Sequence, residues 1–253
     1  MRTPNDRPPI ASVAHALGLD AARLLPLGHD KAKVQLDPTD LAAPQGRLLL
    51  VSAITPTKAG EGKTTVSVGL ADGLRRVGRS PAVCLREPSL GPVFGIKGGG
   101  TGGGAAQVEP ADVINLHFTG DLHAVAAAHN LLAALIDNDL HFAARGRAGT
   151  TGLAPETVTW PRVVDVNDRA LRNVVVSRGA AVERGTRFDI TAASEIMAVL
   201  SLATSLEDLR ARLGRIVVGW QAPTGRDPGA PVTAAQLQAV DAMLALLQDA
   251  LQP

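Results

Sequence analysis

The sequence predicts an α/β protein with a mostly parallel sheet and helices on both faces. Three observations carry that prediction. Leu48–Ile54 (LLLVSAI) is apolar on both faces, and a strand without alternation belongs in the middle of a parallel sheet covered by helices. It runs into a glycine-rich turn, TPTKAGEGKTT, and then into Val66–Val77, where apolar residues recur at helical spacing. Gly78 ends that helix, and Ala82–Leu85 forms a second apolar strand, which completes a βαβ unit.

The remaining elements follow in order. Residues 10–19 (IASVAHALGL) read as a short helix, and LGHDKAKVQLD leads through a proline-containing stretch to the first strand. Residues 87–104 are too rich in proline and glycine to form the interior of a regular element. Ala124–Ile136 reads as a buried helix, and Arg147–Trp160 as a loop, with a subdomain boundary near residues 143–160. Phe188–Ala203 combines a strand end, a cap at Thr191 or Ser194, and a helix. Arg215–Trp220 is a strand. Val232–Leu251 opens with Thr233 and Gln236 at capping-box spacing. Its apolar positions Leu237, Val240, Met243, Leu244 and Leu247 make it an amphipathic helix, whose apolar face packs back on the domain or receives another chain.

Composition narrows the function classes. With 253 residues and 45% hydrophobic content, the chain buries a sizeable core. A net charge of +1 from 25 basic and 24 acidic residues argues against nucleic acid or a membrane surface as partner. The low aromatic content, with no tyrosine, argues against a base-stacking surface. The N-terminus lacks the apolar stretch of a signal peptide, and no apolar run is long enough to span a membrane. The single cysteine, Cys84, forms no internal disulfide and suits a reducing compartment, so the expectation is a cytoplasmic protein. Within an apolar strand, Cys84 reads as a small buried hydrophobe.

The turn after the first strand carries phosphate chemistry. A strand, a glycine turn and a helix start gather backbone N–H groups around an anion, and the helix dipole favours negative charge there. Gly60 and Gly62 let the backbone approach phosphate oxygens, Lys63 reaches the β- and γ-phosphates, and the Thr64 hydroxyl ligates Mg²⁺. The expected nucleotide contacts are therefore Thr57, Lys58, Ala59, Gly60, Glu61, Gly62, Lys63, Thr64 and Thr65, in a P-loop NTPase-like domain that uses ATP and Mg²⁺. Thr57 stands where the common pattern begins with glycine. The competing reading is a solvated helix start.

Strand 82–85 delivers Arg86 and Glu87 at its C-terminal end, where open α/β sheets place ligands. Arg86 is either a clamp for an acyl phosphate or carboxylate, or one half of a surface ion pair. Gly98–Gly104 contains GxGxxG without the strand and helix that give that pattern its mechanics, and reads as a backbone-lined active-site loop or an inert turn. His117, His123 and His129 fall at six-residue spacing, which gives neither i,i+4 helix pairs nor tight strand alternation and argues against a metal site. Asp121 is a helix cap or a functional carboxylate.

Seven blocks, TPTKAGEGKTT, REPSLGPVFGIKGGGTGGGAAQV, INLHFTGDLHA, NLLAALIDN, VVDVNDRALRN, FDITAASEIMA and RLGRIVVG, resemble the formate–tetrahydrofolate ligases, from about residue 10 to the end of the chain. The resemblance implies activation of formate by ATP to formyl phosphate and formyl transfer to N10 of tetrahydrofolate. It implies that residues 57–64 are the ATP loop, that Arg86 holds formyl phosphate, and that Asp121 lies in the active site beside Lys63 and Arg86. Members of that family continue well past residue 253, and Ala143–Glu156 departs from their usual segment. The chain is thus expected to be the N-terminal nucleotide and formyl-phosphate domain without the folate-binding part, working as a homo-oligomer or with a complementing C-terminal chain.

Two other classes fit parts of the sequence. Lys58, Gly60, Gly62, Lys63 and Thr64 also resemble the signature-lysine loop of dimeric partition-type ATPases, where the first lysine reaches the partner's phosphate. A domain that folds and binds nothing is the third reading.

Overall fold

A computed structural model describes residues 7–36, 46–55, 57, 60–94, 99–225 and 227–253, in two units: Met1–Gly120 with Gln252–Pro253, and Asp121–Leu251. In the first, helix α1 (Ile10–Ala16) stops short of the expected residue 19, because Gly18 turns the chain at φ 76°. Strands β1 (Leu24–Pro26) and β2 (Ala32–Val34) pair antiparallel, with Leu25 opposite Lys33. The chain end lies along β2: the Val34 N–H donates to the Pro253 carbonyl at 2.9 Å and the Lys33 ammonium to the Gln252 carbonyl at 3.2 Å.

The two strands expected on either side of the phosphate turn are absent from this structure. Among the described residues, 48–54 have no ladder partner, and Leu48, Leu50 and Ile54 are 93%, 85% and 104% exposed. An apolar run of this kind needs strands beside it and helices over both faces, and the described residues supply neither. Residues 82–85 are likewise unpaired, which corrects the reading of Cys84: its side chain is exposed. Helix α2 (Lys63–Arg76) does form between them. It is followed by α3 (Leu90–Val93), a short hairpin of β3 (Gly102–Gly103) and β4 (Ala106–Gln107), and α4 (Ala111–His117). Only Ala14 and Val68 are buried hydrophobic residues among the described part of this unit.

The core lies in the second unit, around α5 (Asp121–Ala143), which extends the expected helix at both ends. Its buried positions Leu122, Val125, Ala128, Leu132, Ile136 and Leu140 recur every three or four residues and make one apolar stripe. Complete burial of Leu132 and Ile136 stabilises the unit by about 1.5–3 kcal/mol each. Beyond α5 come β5 (Arg162–Val164), β6 (Val174–Val176), β7 (Arg184–Thr186), β8 (Phe188–Ile190), α6 (Glu195–Leu202), α7 (Leu206–Gly214), β9 (Val217–Trp220), β10 (Pro231–Thr233) and α8 (Val240–Leu247).

Mixed α/β architecture is therefore present, with a different balance of strands from that expected. Among the described residues only β5 and β8 pair parallel, while β6 with β7 and β9 with β10 are antiparallel. Ser194, one of the two caps considered, is the one that works: its hydroxyl accepts the Ile196 N–H at 3.1 Å and opens α6. The segment 147–160 has no long element, yet Leu153, Ala154 and Trp160 are buried in the core of this unit.

The helix expected from Val232 begins only at Val240. Val232 is consumed by β10, opposite Gly219, and is fully buried there. Gln236 does reach back to the Thr233 N–H at 2.8 Å, as in a capping box, but the left-handed Gln238, at φ 56°, stops that turn from continuing. The apolar face of α8, with Met243, Leu244 and Leu247 buried, packs on α5 and α7.

Candidate functional site

Helix α2 begins where the sequence placed the anion-binding turn. Gly60 and Gly62 take φ values of +84° and +72°, a region that L side chains rarely enter. Gly62 is the N-cap of α2, no side chain caps that end, and no acidic residue sits in its first turn. The amides of a first helical turn lack intrahelical acceptors. Here they meet a cation: Lys63 is the first helical residue and exposed, with Thr64 half-buried and Thr65 exposed after it. Thr57 is exposed, and its carbonyl accepts the Gly60 N–H at 3.3 Å. Lys58 and Ala59 lie outside the described residues.

The loop supplies its own anion. One Glu61 oxygen accepts from the Lys63 ammonium and the other from the Thr57 N–H. These bonds, led by that to Lys63, hold the Glu61 carboxyl down at about 2. A carboxylate thus takes the cationic and N–H donors that a phosphate oxygen would use. The sequence placed Glu61 in the loop and gave no sign of this role.

Arg86 is exposed and follows the unpaired segment 82–85. Pro88, two residues on, packs against the glycine run: a Cβ built on Gly100 would meet its ring at 3.0 Å. The other end of that run, the β3–β4 hairpin, rests on α2, with Ala106 Cβ at 3.6 Å from a Cβ built on Gly69. Gly98 lies outside the described residues, and Gly99–Gly104 is a fitted segment rather than a free turn. The Lys63 turn, the glycine run and the Arg86 segment all belong to the first unit. Asp121 opens α5 in the second unit.

The histidines serve different ends. His117 closes α4, and His123 and His129 lie on α5. Both His129 nitrogens are used inside the core, Nε2 toward the Pro161 carbonyl at 3.0 Å and Nδ1 toward the Ser194 hydroxyl at 2.8 Å. No group of three metal-ligating side chains occurs among the described residues.

A glycine turn that delivers a lysine and two threonines to an uncapped helix start, in a mixed α/β chain, is an arrangement able to hold an anion such as a phosphate ester. Residues 3–253 match the formate–tetrahydrofolate ligase family, and the chain belongs to it. The chain is 56% identical over 250 residues to the formate–tetrahydrofolate ligase of Paracoccus denitrificans, covering 97% of this chain and 43% of that protein. The corresponding enzyme of Saccharopolyspora erythraea is 53% identical, with 97% and 42% covered, and that of Oenococcus oeni is 52% identical, with 97% and 43% covered. The chain therefore spans well under half the length of these relatives. A match running from residue 3 to residue 253 leaves the dimerising partition-type ATPase without support.

Proposed function

We propose that this chain binds Mg·ATP at the Gly60–Thr65 turn and activates formate as formyl phosphate, the first half of the ligase reaction. The observation that carries the reading is the uncapped start of α2, with left-handed Gly60 and Gly62 delivering Lys63, in a chain matched along its length by formate–tetrahydrofolate ligases. A formate oxygen attacks the γ-phosphorus, the bond to the bridging oxygen breaks and ADP leaves. N10 of tetrahydrofolate then attacks the formyl carbon, inorganic phosphate departs, and the N10 proton passes to solvent. Lys63 and the first-turn amides stabilise charge on the phosphoryl oxygens, and Arg86 holds formyl phosphate through its planar fork.

The Thr64 hydroxyl, half-buried in the first turn beside Lys63, is a hard oxygen donor of the kind Mg²⁺ takes together with phosphates and water. Bound there, the ion would neutralise charge on the transferred phosphoryl group. Asp121 joins the reading as an active-site carboxylate through its place in the HFTGD block.

The finer fold that accompanies this function is a P-loop βαβ unit in which 48–54 and 82–85 pair once their apolar faces are covered. The reading places the protein in the cytoplasm, and assigns folate binding to the part of the relatives' length that lies beyond their match to this chain, with a homo-oligomer or a complementing C-terminal chain as partner. Calorimetric titration with Mg·ATP, with and without formate, tests it. Binding that formate strengthens and Lys63→Ala abolishes is the expected result. A folded protein that binds no nucleotide leaves the inert-domain reading in its place. For the transfer step, product is expected only after the remaining length of a relative is added, and none after that addition overturns complementation.

A further inference from the structure

We infer that Asn115 is a positioning residue that locks the glycine run against the first turn of α2 and against the Arg86–Pro88 segment, so that the nucleotide and formate sides of the site respond to each other. This rests on the ATP reading above. Asn115 projects from α4 with both ends of its amide engaged. Its Oδ1 accepts the Gly100 N–H at 2.8 Å, and its Nδ2 donates to the Thr101 hydroxyl at 3.3 Å. Thr101 is 2% exposed, and its carbonyl accepts the Val108 N–H at 2.8 Å, which closes the base of the β3–β4 hairpin. One side chain therefore fixes two consecutive residues, using the acceptor oxygen and the donor nitrogen of one amide.

The glycines show how closely the run is held. A Cβ on Gly99 would lie 2.1 Å from Asn115 Oδ1, one on Gly100 would lie 3.0 Å from Pro88, and one on Gly102 would lie 2.2 Å from the Ala106 carbonyl oxygen. From the other face, positions built on Gly102 and Gly103 lie 3.5 Å from Val68 and 3.6 Å from the Thr65 hydroxyl. Val68 and Thr65 are both on α2, and Thr65 is in the turn that begins with Lys63. Pro88 is two residues from Arg86. A segment packed on one side against α2 and on the other against the Arg86 segment transmits a shift of either to the other, provided it is held as one piece, and Asn115 is what holds it.

The test is calorimetric titration of the full chain with Mg·ATP, with and without formate, for the wild type, Lys63→Ala, Asn115→Ala and Asn115→Asp. Asn115→Ala is expected to weaken Mg·ATP roughly tenfold, as the loss of two ordinary hydrogen bonds implies, and to remove the strengthening by formate. Asn115→Asp keeps the acceptor for Gly100 and is expected to recover part of both, a rescue that general loss of structure would not give. Gly99→Ala displaces the Asn115 side chain and is expected to mimic Asn115→Ala, with the double variant no worse than either single one. If Asn115→Ala itself fails to fold, Asn115→Asp and Gly99→Ala carry the test: wild-type affinity and wild-type response to formate in Gly99→Ala then overturn the inference. Asn115→Ala with wild-type affinity and wild-type response to formate overturns the inference alone. Additive losses in the Gly99/Asn115 cycle overturn it as well. A wild type that binds no nucleotide overturns the ATP reading and this inference with it.

Discussion

Glu61 is the internal counter-ion of Lys63: its carboxylate accepts from the Lys63 ammonium while its second oxygen takes the Thr57 N–H. Phosphate must displace that carboxylate to reach the lysine. Glu61→Gln removes the charge and retains the shape, so it is expected to bind Mg·ATP more tightly than the wild type, by about a few-fold at most because an exposed ion pair is weak. Since the Glu61 carboxyl is held down at about 2, it stays ionised at every pH from about 5 upward, and its own titration does not change the gain across that range. Titration of both proteins at two pH values measures this. Weaker binding by Glu61→Gln would show that the carboxylate helps to hold nucleotide instead of competing with it.

Gly62 offers a different handle, because a Cβ there finds nothing within 4 Å and the only obstacle is its φ of +72°. Alanine in that conformation costs about 1–2 kcal/mol, which corresponds to roughly a five- to thirtyfold loss of nucleotide affinity if the turn must keep its shape to bind. Gly146 is a fitting control, with φ +70°, equally open space around it, and a place in the second unit. Gly146→Ala should cost similar stability and leave Mg·ATP affinity unchanged. Equal affinity losses in the two variants would detach the effect from the phosphate turn.

In the second unit, Asp137 holds two arginines, Arg162 at 2.7 Å and Arg184 at 2.8 Å, and so pins β5 and β7 to α5. The Arg184 side chain is only 8% exposed. Asp137→Ala leaves these cations half-buried without their shared counter-ion, and is expected to cost roughly 3–5 kcal/mol in urea unfolding. Asp137→Asn retains acceptor oxygen and should cost less. A loss under about 1 kcal/mol for the alanine variant would mean that solvent already screens the pair.

The contrast between the units explains what the sequence disclosed. The α5 stripe was legible because Leu132, Ile136 and their neighbours repeat at helical spacing and meet their partners within the same unit. Local chemistry also placed the Gly62 to Lys63 helix start and the Ser194 cap, since each is decided by a few adjacent residues. Leu48–Ile54 reads as a strand on composition alone, but a ladder is a long-range property and the described residues contain no partner for it. Val232 went to β10 instead of a helix for the same reason: Gly219, its partner, lies far off in the chain. Asn115 was unreadable because an asparagine that fixes a loop fifteen residues away leaves no spacing pattern.

His129 makes the second unit sensitive to acid. Its ring stacks on Trp160 at 4.2 Å between centroids, and the Pro161 carbonyl requires a proton on Nε2, which leaves Nδ1 to accept from the Ser194 hydroxyl. Burial disfavours the imidazolium and lowers its pKa from 6.5 to about 4, against the smaller opposing effects of the Pro161 carbonyl and Asp189. Between those two values the unfolded chain holds a proton that the folded chain does not. The contribution of His129 is therefore complete above 6.5 and is lost as pH falls toward 4, by about 3 kcal/mol in all. Asp30 and Asp208, both lowered by their basic partners, lose their contributions only below the ordinary carboxylate range. Glu195, raised by burial, works in the opposite direction as pH rises above its unfolded value. Urea midpoints at pH 7 and pH 5 should thus fall together with acid in the wild type, and the fall should be much smaller in His129→Gln, which has no proton to gain. Parallel falls in both proteins would assign the acid sensitivity to groups other than this histidine.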